Sequence, residues 1–313
     1  MTEKEWIDFL KSYLFEDFPV LKSKNEDCAV IKLAERDYLL LTTDALVEQV
    51  HFQWEYTSFY DLGVKLAVSN LSDIAATGGI PNFALLTLGS SKPLETFWLE
   101  PFMEGLTSTL ERYGTKLIGG DTVKSSVFFV NLVVMGRTKN PLLRKGAQVG
   151  DYIFVSRKLG ESVAFLREIK KLPLEQIPEN LKKAHLRPEP EIELGKELSY
   201  QELATSVIDI SDGLLLDLWR ICKENEVGAE IWKEKIPVGL YATLEEALSG
   251  GEDYALLFTV KEENLKKLEN LGLRLNRTFF KIGKIIKEKK LYLLEGDLKR
   301  EIKPLGFNHF EED

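Results

Sequence analysis

The sequence has few of the residues that bind soft metals or form disulfides. It contains two cysteines, Cys28 and Cys222, and three histidines among 313 residues. Neither cysteine belongs to a CxxC motif or lies in histidine-rich surroundings, which argues against a zinc site. We interpret both as reduced core thiols of a cytoplasmic protein.

Long apolar runs are also absent. The most apolar segment, Val127–Met135, has the length of one buried strand, whereas a membrane-spanning helix needs about 20 apolar residues. The N-terminal segment MTEKEWIDFLKSYLFEDF carries charges throughout and lacks the apolar core of a signal peptide. We therefore expect no contact with membranes and a cytoplasmic location.

An excess of positive charge is missing too. The formal net charge is −9 and the sequence pI is about 5.2. A nucleic-acid-binding protein needs a basic face, so this class is disfavoured. An anionic substrate remains compatible with the composition if cations mediate the contact.

The common nucleotide-binding motifs do not occur. There is no GxxxxGK[ST], because Gly89-Ser90-Ser91-Lys92 has the wrong spacing, and no GxGxxG follows a predicted strand. The HRD and DFG pairs of protein kinases are missing as well. A protein of this sequence that handles nucleotides must therefore use another scaffold.

The elements that the sequence does predict favour an α+β fold with two domains, 1–137 and 138–313. Helices and strands alternate without the constant period of a doubly wound sheet, and Asn140-Pro141 marks a link between the halves. The segment Asp61–Gly79 predicts an amphipathic helix, for which Ser58 is the candidate N-cap and Gly78-Gly79 the stop.

Aspartates recur at the predicted ends of elements, next to glycine, serine or threonine. They are Asp27, Asp44, Asp73, Asp121, Asp209 and Asp212. Each alone is typical of a cap or a turn. If several converge, each pair at about 4 Å repels by roughly 4 kcal/mol at an effective dielectric near 20. Mg²⁺, a hard cation that prefers oxygen ligands, would reverse this repulsion and allow phosphorylated molecules to bind.

Six segments, in order along nearly the whole chain, resemble thiamine-monophosphate kinases. They are LTTDALVEQVHF, NLSDIAATGG, LIGGDT, VIDISDGLLLDL, GGEDYALLF and GFNHF. The DxSDG and GGDT patterns are shared with a superfamily that includes aminoimidazole ribonucleotide synthetase, whereas LVEQVHF and GFNHF are more specific to the kinases. The resemblance implies a two-domain aminoimidazole ribonucleotide synthetase-like fold, in which N-terminal strands form a barrel across a homodimer and a C-terminal α/β domain packs against them.

The resemblance also implies roles for single residues. The implied ligands of several Mg²⁺ ions are Asp27, Thr42, Thr43, Asp44, Asp73, Asp121, Asp209 and Asp212. The implied contacts to ATP are Gly120, Asp121, Arg144 and Ser211. Thiamine monophosphate would be held by His51, Glu252 and Phe307. Four positions depart from the family pattern: Asn25 and Gln49 stand where glycine is usual, and Thr77 and Ala255 stand where methionine and glutamate are frequent.

The implied reaction is in-line transfer of the γ-phosphate of ATP to thiamine monophosphate. The acceptor phosphate is already an anion and needs no strong general base, which agrees with the lack of an evident His–Asp pair. Two alternatives stay open at this point. One is another ATP-dependent enzyme of the superfamily, similar to aminoimidazole ribonucleotide synthetase, and the other is a non-catalytic protein that binds Mg²⁺ and nucleotide.

Overall fold

Helix α2 (Phe59–Ala76) lies at the centre of the computed structural model, which describes residues 3–309. Ser58 is its N-cap, as predicted, and its hydroxyl accepts a hydrogen bond from the Asp61 N–H at 3.1 Å. The predicted amphipathic character is wrong, because 15 of the 18 residues are buried. Residues 1–2 and 310–313 lie outside the described residues, including Phe310 of the GFNHF segment.

Neighbouring elements surround α2 because small residues let them approach closely. A Cβ at Gly63 would lie 2.2 Å from the Phe102 carbonyl oxygen of α3 (Thr96–Arg112). On the other side, a Cβ at Gly195 of α6 (Ile192–Tyr200) would lie 2.0 Å from the Ala75 carbonyl oxygen. Glycine at both positions therefore permits helix contacts that any other residue would block.

The first sheet has six strands in the order β1-β2-β3-β6-β4-β5. Their bounds are β1 (Val20–Lys22), β2 (Ala29–Ala34), β3 (Asp37–Val47), β4 (Ile80–Ser90), β5 (Lys116–Lys124) and β6 (Phe129–Thr138). Strands β2 and β3 form an antiparallel hairpin, and β4–β5 is the parallel pair of this sheet. Two predicted boundaries change, because β3 continues past Asp44 and β5 runs through Gly119-Gly120-Asp121-Thr122 instead of ending there.

The second sheet has seven strands in the order β13-β12-β9-β11-β7-β10-β8. Their bounds are β7 (Tyr152–Val155), β8 (Ala204–Ile210), β9 (Gly228–Trp232), β10 (Ala255–Val260), β11 (Phe280–Ile286), β12 (Leu291–Glu295) and β13 (Leu298–Ile302). The remaining helices are α1 (Glu3–Lys11), α4 (Glu161–Ile169), α5 (Glu179–Leu186), α7 (Leu214–Glu224), α8 (Leu244–Ser249) and α9 (Leu265–Leu275), and short 3₁₀ turns cover Leu174–Gln176, Lys233–Lys235 and Glu262–Asn264.

The two sheets form a mixed α+β fold and contribute to a common buried cluster, while the second sheet also packs on a separate cluster with α7. Phe154 and Phe258 of the second sheet belong to the same buried cluster as Leu66 of α2 and Leu132 of β6. The predicted boundary at 137/138 falls at the end of β6, between the two sheets. None of the described helices has both the length and the apolar composition needed to cross a bilayer.

Candidate active site

Three carboxylates from distant parts of the chain converge at the C-terminal end of α2. Asp27 precedes β2, Asp73 lies in the last turn of α2 and Asp209 lies in β8; one oxygen of each falls within 4.8 Å of the others. Each carboxylate has a polar neighbour. The Thr42 hydroxyl donates to Asp73, the Arg144 guanidinium pairs with Asp27, and the Ser72 hydroxyl donates to Asp209 at 2.6 Å.

The electrostatics extend this cluster to Asp44 and Asp212. Burial, together with the charges of Asp212 and Asp27, raises the pKa of Asp44 to about 6, against a hydrogen bond from Ser69 that lowers it. Burial also raises the pKa of Asp73 well above its usual range, and Asp44 and Asp209 add to the effect. The carboxylates therefore repel one another, as the sequence predicts for converging acids.

The chemistry of this group fits a hard divalent cation. Its possible metal ligands are carboxylate oxygens with a threonine hydroxyl beside them, and oxygen is the ligand type that Mg²⁺ prefers. One oxygen of the neighbouring Glu26, Oε1, is buried without a hydrogen-bond partner among residues 3–309. Asp27, Asp44, Asp73, Asp209 and Asp212 are the side chains that could hold such ions.

The two residues that stand in place of a usual glycine occupy left-handed backbone positions. Asn25 has φ 58° in the turn before Asp27, and Gln49 has φ 68° after β3. Glycine adopts this conformation without steric cost, and asparagine tolerates it better than most residues. The backbone at both sites thus retains a shape that glycine favours, although the side chains differ.

Thr43 and Asp121 lie on the opposite face of the first sheet from this cluster. Side chains alternate along a strand, so Thr42 and Asp44 face α2 while Thr43 faces away, where its hydroxyl accepts from the Asn131 amide at 2.8 Å. The register pairs Asp121 with Thr87, Thr87 with Asn131 and Asn131 with Ala45. Asp121 is therefore three strand spacings, about 14 Å, from β3 and shares the face of Thr43.

The predicted ATP contacts are also divided between places. Gly120 lies on β5 beside Asp121, where a Cβ would be 1.8 Å from the Leu86 carbonyl oxygen, so strand packing alone requires glycine there. Arg144 lies at the acidic cluster, and its Nε is buried without a partner among the described residues. Ser211 begins the SDG loop after β8, and its carbonyl accepts from the Glu252 N–H at 2.8 Å.

Two residues that sequence reasoning missed hold the SDG loop in place. Asp217 Oδ2 accepts from the backbone N–H groups of Asp212 and Gly213, both at 3.1 Å. Arg220 donates to Asp217 Oδ1 and to Asp212 Oδ2, both at 2.5 Å. The signal that could have found them is the acid–base spacing of three residues in Asp217-Leu218-Trp219-Arg220, which places both side chains on one face of α7.

The residues predicted to hold thiamine monophosphate lie in one neighbourhood beside the acids. The ring centroid of His309 lies 5.2 Å from that of His51 and 4.9 Å from that of Phe307. The Phe307 N–H donates to the Asp212 carbonyl at 2.8 Å, which attaches the C-terminal segment to the SDG loop. Burial lowers the pKa of His51, and His309 lowers it further while Glu252 raises it, so Glu252 is within electrostatic reach.

Glu252 is joined to a buried pair that the sequence analysis also missed. Lys65 Nζ lies 2.8 Å from Glu252 Oε1, and His185 Nδ1 lies 3.3 Å from Glu252 Oε2. Lys65 could have been singled out as the one lysine in a helix otherwise rich in apolar and small residues, eight positions before Asp73. For His185, far away on α5, the sequence carried no comparable signal.

Comparison with known proteins agrees with this geometry. Residues 25–138 match the family described as AIR synthase related protein, N-terminal domain. A solved structure described as AaThiL complexed with AMPPCP and TMP superposes with a TM-score of 0.85 at 31% identity, covering 99% of this chain and 97% of that chain. Thiamine-monophosphate kinase from Stenotrophomonas maltophilia K279a gives a TM-score of 0.77 at 30% identity, covering 93% and 96%.

The sequence relatives give the same result over the full length. The thiamine-monophosphate kinase of Buchnera aphidicola subsp. Schizaphis graminum is 37% identical over an alignment that covers 96% of each chain. The motifs that carried the resemblance thus lie within a similarity that spans both sheets and the C-terminal segment. This chain belongs to the thiamine-monophosphate kinase family.

Proposed function

We propose that the protein transfers the γ-phosphate of ATP to thiamine monophosphate and so forms thiamine diphosphate. The observation that carries the proposal is the convergence of Asp27, Asp73 and Asp209, whose oxygens lie within 4.8 Å of one another in a chain of this family. Such a cluster suits the binding of phosphates through cations, and the chain offers it next to residues suited to a heterocycle.

Within this proposal, Asp27, Asp44, Asp73, Asp209 and Asp212 would hold Mg²⁺ ions. Bound magnesium would neutralise phosphate charge and align the reacting groups. Arg144 contributes from the protein itself, since its unpartnered buried Nε is a donor suited to a phosphate oxygen. No side chain has to act as a strong base, because the second pKa of a phosphate monoester is near 6 and the acceptor is already anionic.

We propose that the substrate lies along α2. Lys65, which contacts Glu252, and Asp73 are eight residues apart in this helix, or about 12 Å along its axis. The heterocycle would lie near His51, Glu252 and Phe307, and the phosphate near the aspartates. The charges support this orientation, because the acids repel a phosphate unless cations are present, whereas Glu252 suits an N–H donor or a cationic ring.

We further propose a homodimer in which a second copy covers the open face of the first sheet. This face is apolar: Phe83 and Leu85 of β4 are 48% and 38% exposed, and Leu41 and Met135 lie in the same row as Phe83. Asp121 and Thr43 share this face. The second copy would therefore supply Asp121 and Gly120 to the site of the first, in a barrel formed by both sheets. We also propose that the chain divides into two domains at 137/138, with the dimer formed by the first of them.

The cytoplasm is the compartment that we propose, on the ground that Cys28 and Cys222 are both buried free thiols. The decisive experiment for the reaction is conversion of thiamine monophosphate by the purified protein with ATP over a range of Mg²⁺ concentrations, followed by chromatography. Formation of thiamine diphosphate and ADP in equal amounts is expected. Binding of ATP without turnover would favour the non-catalytic alternative, and turnover only with a ribonucleotide substrate would favour the synthetase-like one.

A further inference from the structure

A buried network of three side chains, those of Lys65, His185 and Ser162, lies behind Glu252. Lys65 is 1% exposed and His185 is 2% exposed, so both are shielded from water. Lys65 Nζ lies 2.8 Å from Glu252 Oε1, 3.3 Å from His185 Nε2 and 3.3 Å from the His51 carbonyl oxygen. His185 Nδ1 lies 2.9 Å from Ser162 Oγ and 3.3 Å from Glu252 Oε2.

These contacts determine which ring nitrogen of His185 carries the proton. Burial and the charge of Lys65 together lower the pKa of His185 to about 3, against an opposing effect of Glu252, so the ring is neutral and has one N–H. An ammonium group only donates hydrogen bonds, so Nε2, which faces Lys65, must be the acceptor. The proton then lies on Nδ1, where it can be donated toward Glu252 Oε2 or Ser162 Oγ.

Both oxygens of Glu252 consequently face a donor from the protein interior. Lys65 Nζ contacts Oε1, and the Nδ1–H of His185 faces Oε2. The two contacts together restrain the carboxylate in one orientation. The backbone of Glu252 has φ 62°, a left-handed conformation that is unfavourable for a non-glycine residue, and its N–H donates to the Ser211 carbonyl. The side chain nevertheless remains 25% exposed, so one edge of the carboxylate can meet a ligand.

We propose that Lys65 and His185 are positioning residues that hold the Glu252 carboxylate ionised and fixed for the heterocycle of thiamine monophosphate. The inference rests on the proposed function, because it takes Glu252 as a substrate contact. It goes beyond that function by assigning a task to two residues that need not touch the substrate. A carboxylate paired with Lys65 and next to His185 Nδ1 recognises an N–H group or a cationic ring and disfavours the phosphate end, which fixes the direction of the substrate.

The competing interpretation is a purely structural ion pair, and the kinetic constants distinguish the two. Lys65→Met keeps most of the length of the unbranched side chain and removes its charge. Hydrogen bonds to charged groups contribute about 1.5–3 kcal/mol, so we expect the KM for thiamine monophosphate to rise by roughly 10- to 100-fold. The KM for ATP should stay within about twofold, since Lys65 lies far along α2 from the acids. Equal changes in both KM values would overturn the proposal.

A double variant tests whether Lys65 acts through Glu252, and it avoids leaving one buried charge alone. Lys65→Met/Glu252→Gln should have the same KM for thiamine monophosphate as Glu252→Gln, because the second change removes what Lys65 positions. If the KM increases of the two single variants instead multiply in the double variant, Lys65 does not act through Glu252, and the proposal is contradicted. Lys171→Met is the matched control, because Lys171 is exposed on the surface and pairs with Glu168; its kinetics should equal those of the wild type.

A measurement without substrate separates this inference from the proposed function. The chain has three histidines, so ¹⁵N NMR of the imidazole groups can be assigned with few variants. The wild type should show His185 neutral and protonated on Nδ1, and Lys65→Met should shift it toward the Nε2–H form. An Nε2–H tautomer in the wild type overturns the proposed role of Lys65 and His185, whether or not the protein phosphorylates thiamine monophosphate. Conversely, an inactive wild type with the expected tautomer overturns the proposed function and the substrate contact of Glu252, but not the arrangement in which Lys65 and His185 fix its carboxylate.

Discussion

The hydroxyl of Ser72 donates a hydrogen bond to Oδ2 of Asp209 at 2.6 Å, although the two residues are 137 positions apart. Ser72 lies on α2 and Asp209 on β8, so this bond joins the central helix to the second sheet. The Arg144–Asp27 ion pair joins the halves at the same place. The acidic cluster is therefore located where the two halves of the chain meet. Substitutions in this cluster should change enzymatic activity and folding stability by different amounts.

The first prediction concerns Asp73→Asn. The amide retains an acceptor for the Thr42 hydroxyl but removes one of the repelling charges. We expect kcat to fall by about 100-fold or more, because a metal ligand is lost. The unfolding temperature of the metal-free protein should stay equal or rise, because burial and the neighbouring acids raise the pKa of this carboxyl.

Steady-state kinetics and thermal unfolding in EDTA measure the two effects of Asp73→Asn. The control is Asp297→Asn, since Asp297 is exposed in the turn between β12 and β13, and it should leave both quantities unchanged. A large loss of stability that parallels the loss of turnover would mean that Asp73 is a structural residue.

The second prediction concerns magnesium itself. Mg²⁺ should raise the unfolding temperature of the wild type, because a cation bound only by the folded state stabilises it in proportion to the logarithm of its concentration. Asp209→Asn should reduce this increase, because Asp209 supplies one of the three converging oxygens. The measurement is thermal unfolding at several Mg²⁺ concentrations and constant ionic strength. An equal increase with Na⁺ at matched ionic strength would contradict a specific site.

The third prediction tests the second copy. If Asp121 acts across a dimer, Asp73→Asn and Asp121→Asn chains are each inactive but complement each other when mixed. Random exchange gives one intact site in about half of the dimers, so about a quarter of the wild-type activity should return. The assay is turnover after joint unfolding and refolding of the two variants. No recovery, with mixed dimers demonstrated by tagged chains, would place Asp121 outside the partner's site.

The fourth prediction is a pH dependence of stability caused by Asp253. Burial raises its pKa to about 7, although two hydrogen bonds from the Gly160 N–H, at 3.0 and 2.8 Å, favour the charged form. An acid whose pKa is raised by folding binds more protons in the folded state. The free energy of unfolding should therefore fall as the pH rises from about 4 to 7, by up to about 1.4 kcal/mol per pH unit from this group.

Asp253→Asn removes this contribution. Urea denaturation of both proteins at several pH values between about 5 and 7 should show that the variant gains stability relative to the wild type as the pH increases. The slope of the difference is the readout, because the amide also changes the contact to Gly160 by a constant amount. A difference that is independent of pH would contradict the assignment to Asp253.

Local sequence signals predicted the elements well where they act through near neighbours. Ser58 caps α2 as predicted, and the short polar turn between β2 and β3 joins them in a hairpin. The error over α2 has a physical reason. Apolar residues at helical spacing indicate one buried face, whereas the burial of Lys65, Asn70 and Ser72 depends on partners that are distant in the chain.

The sequence by itself determined the α+β class, the list of acids and the family, because these depend on composition, local spacing and motifs. Only the tertiary structure decided which acids meet, since the pleat and register of the first sheet separate Thr43 and Asp121 from Asp27, Asp73 and Asp209. It also decided that Lys65 and His185 lie behind Glu252. Contacts between residues more than a hundred positions apart arise from the packing of both sheets around α2, which no local pattern encodes.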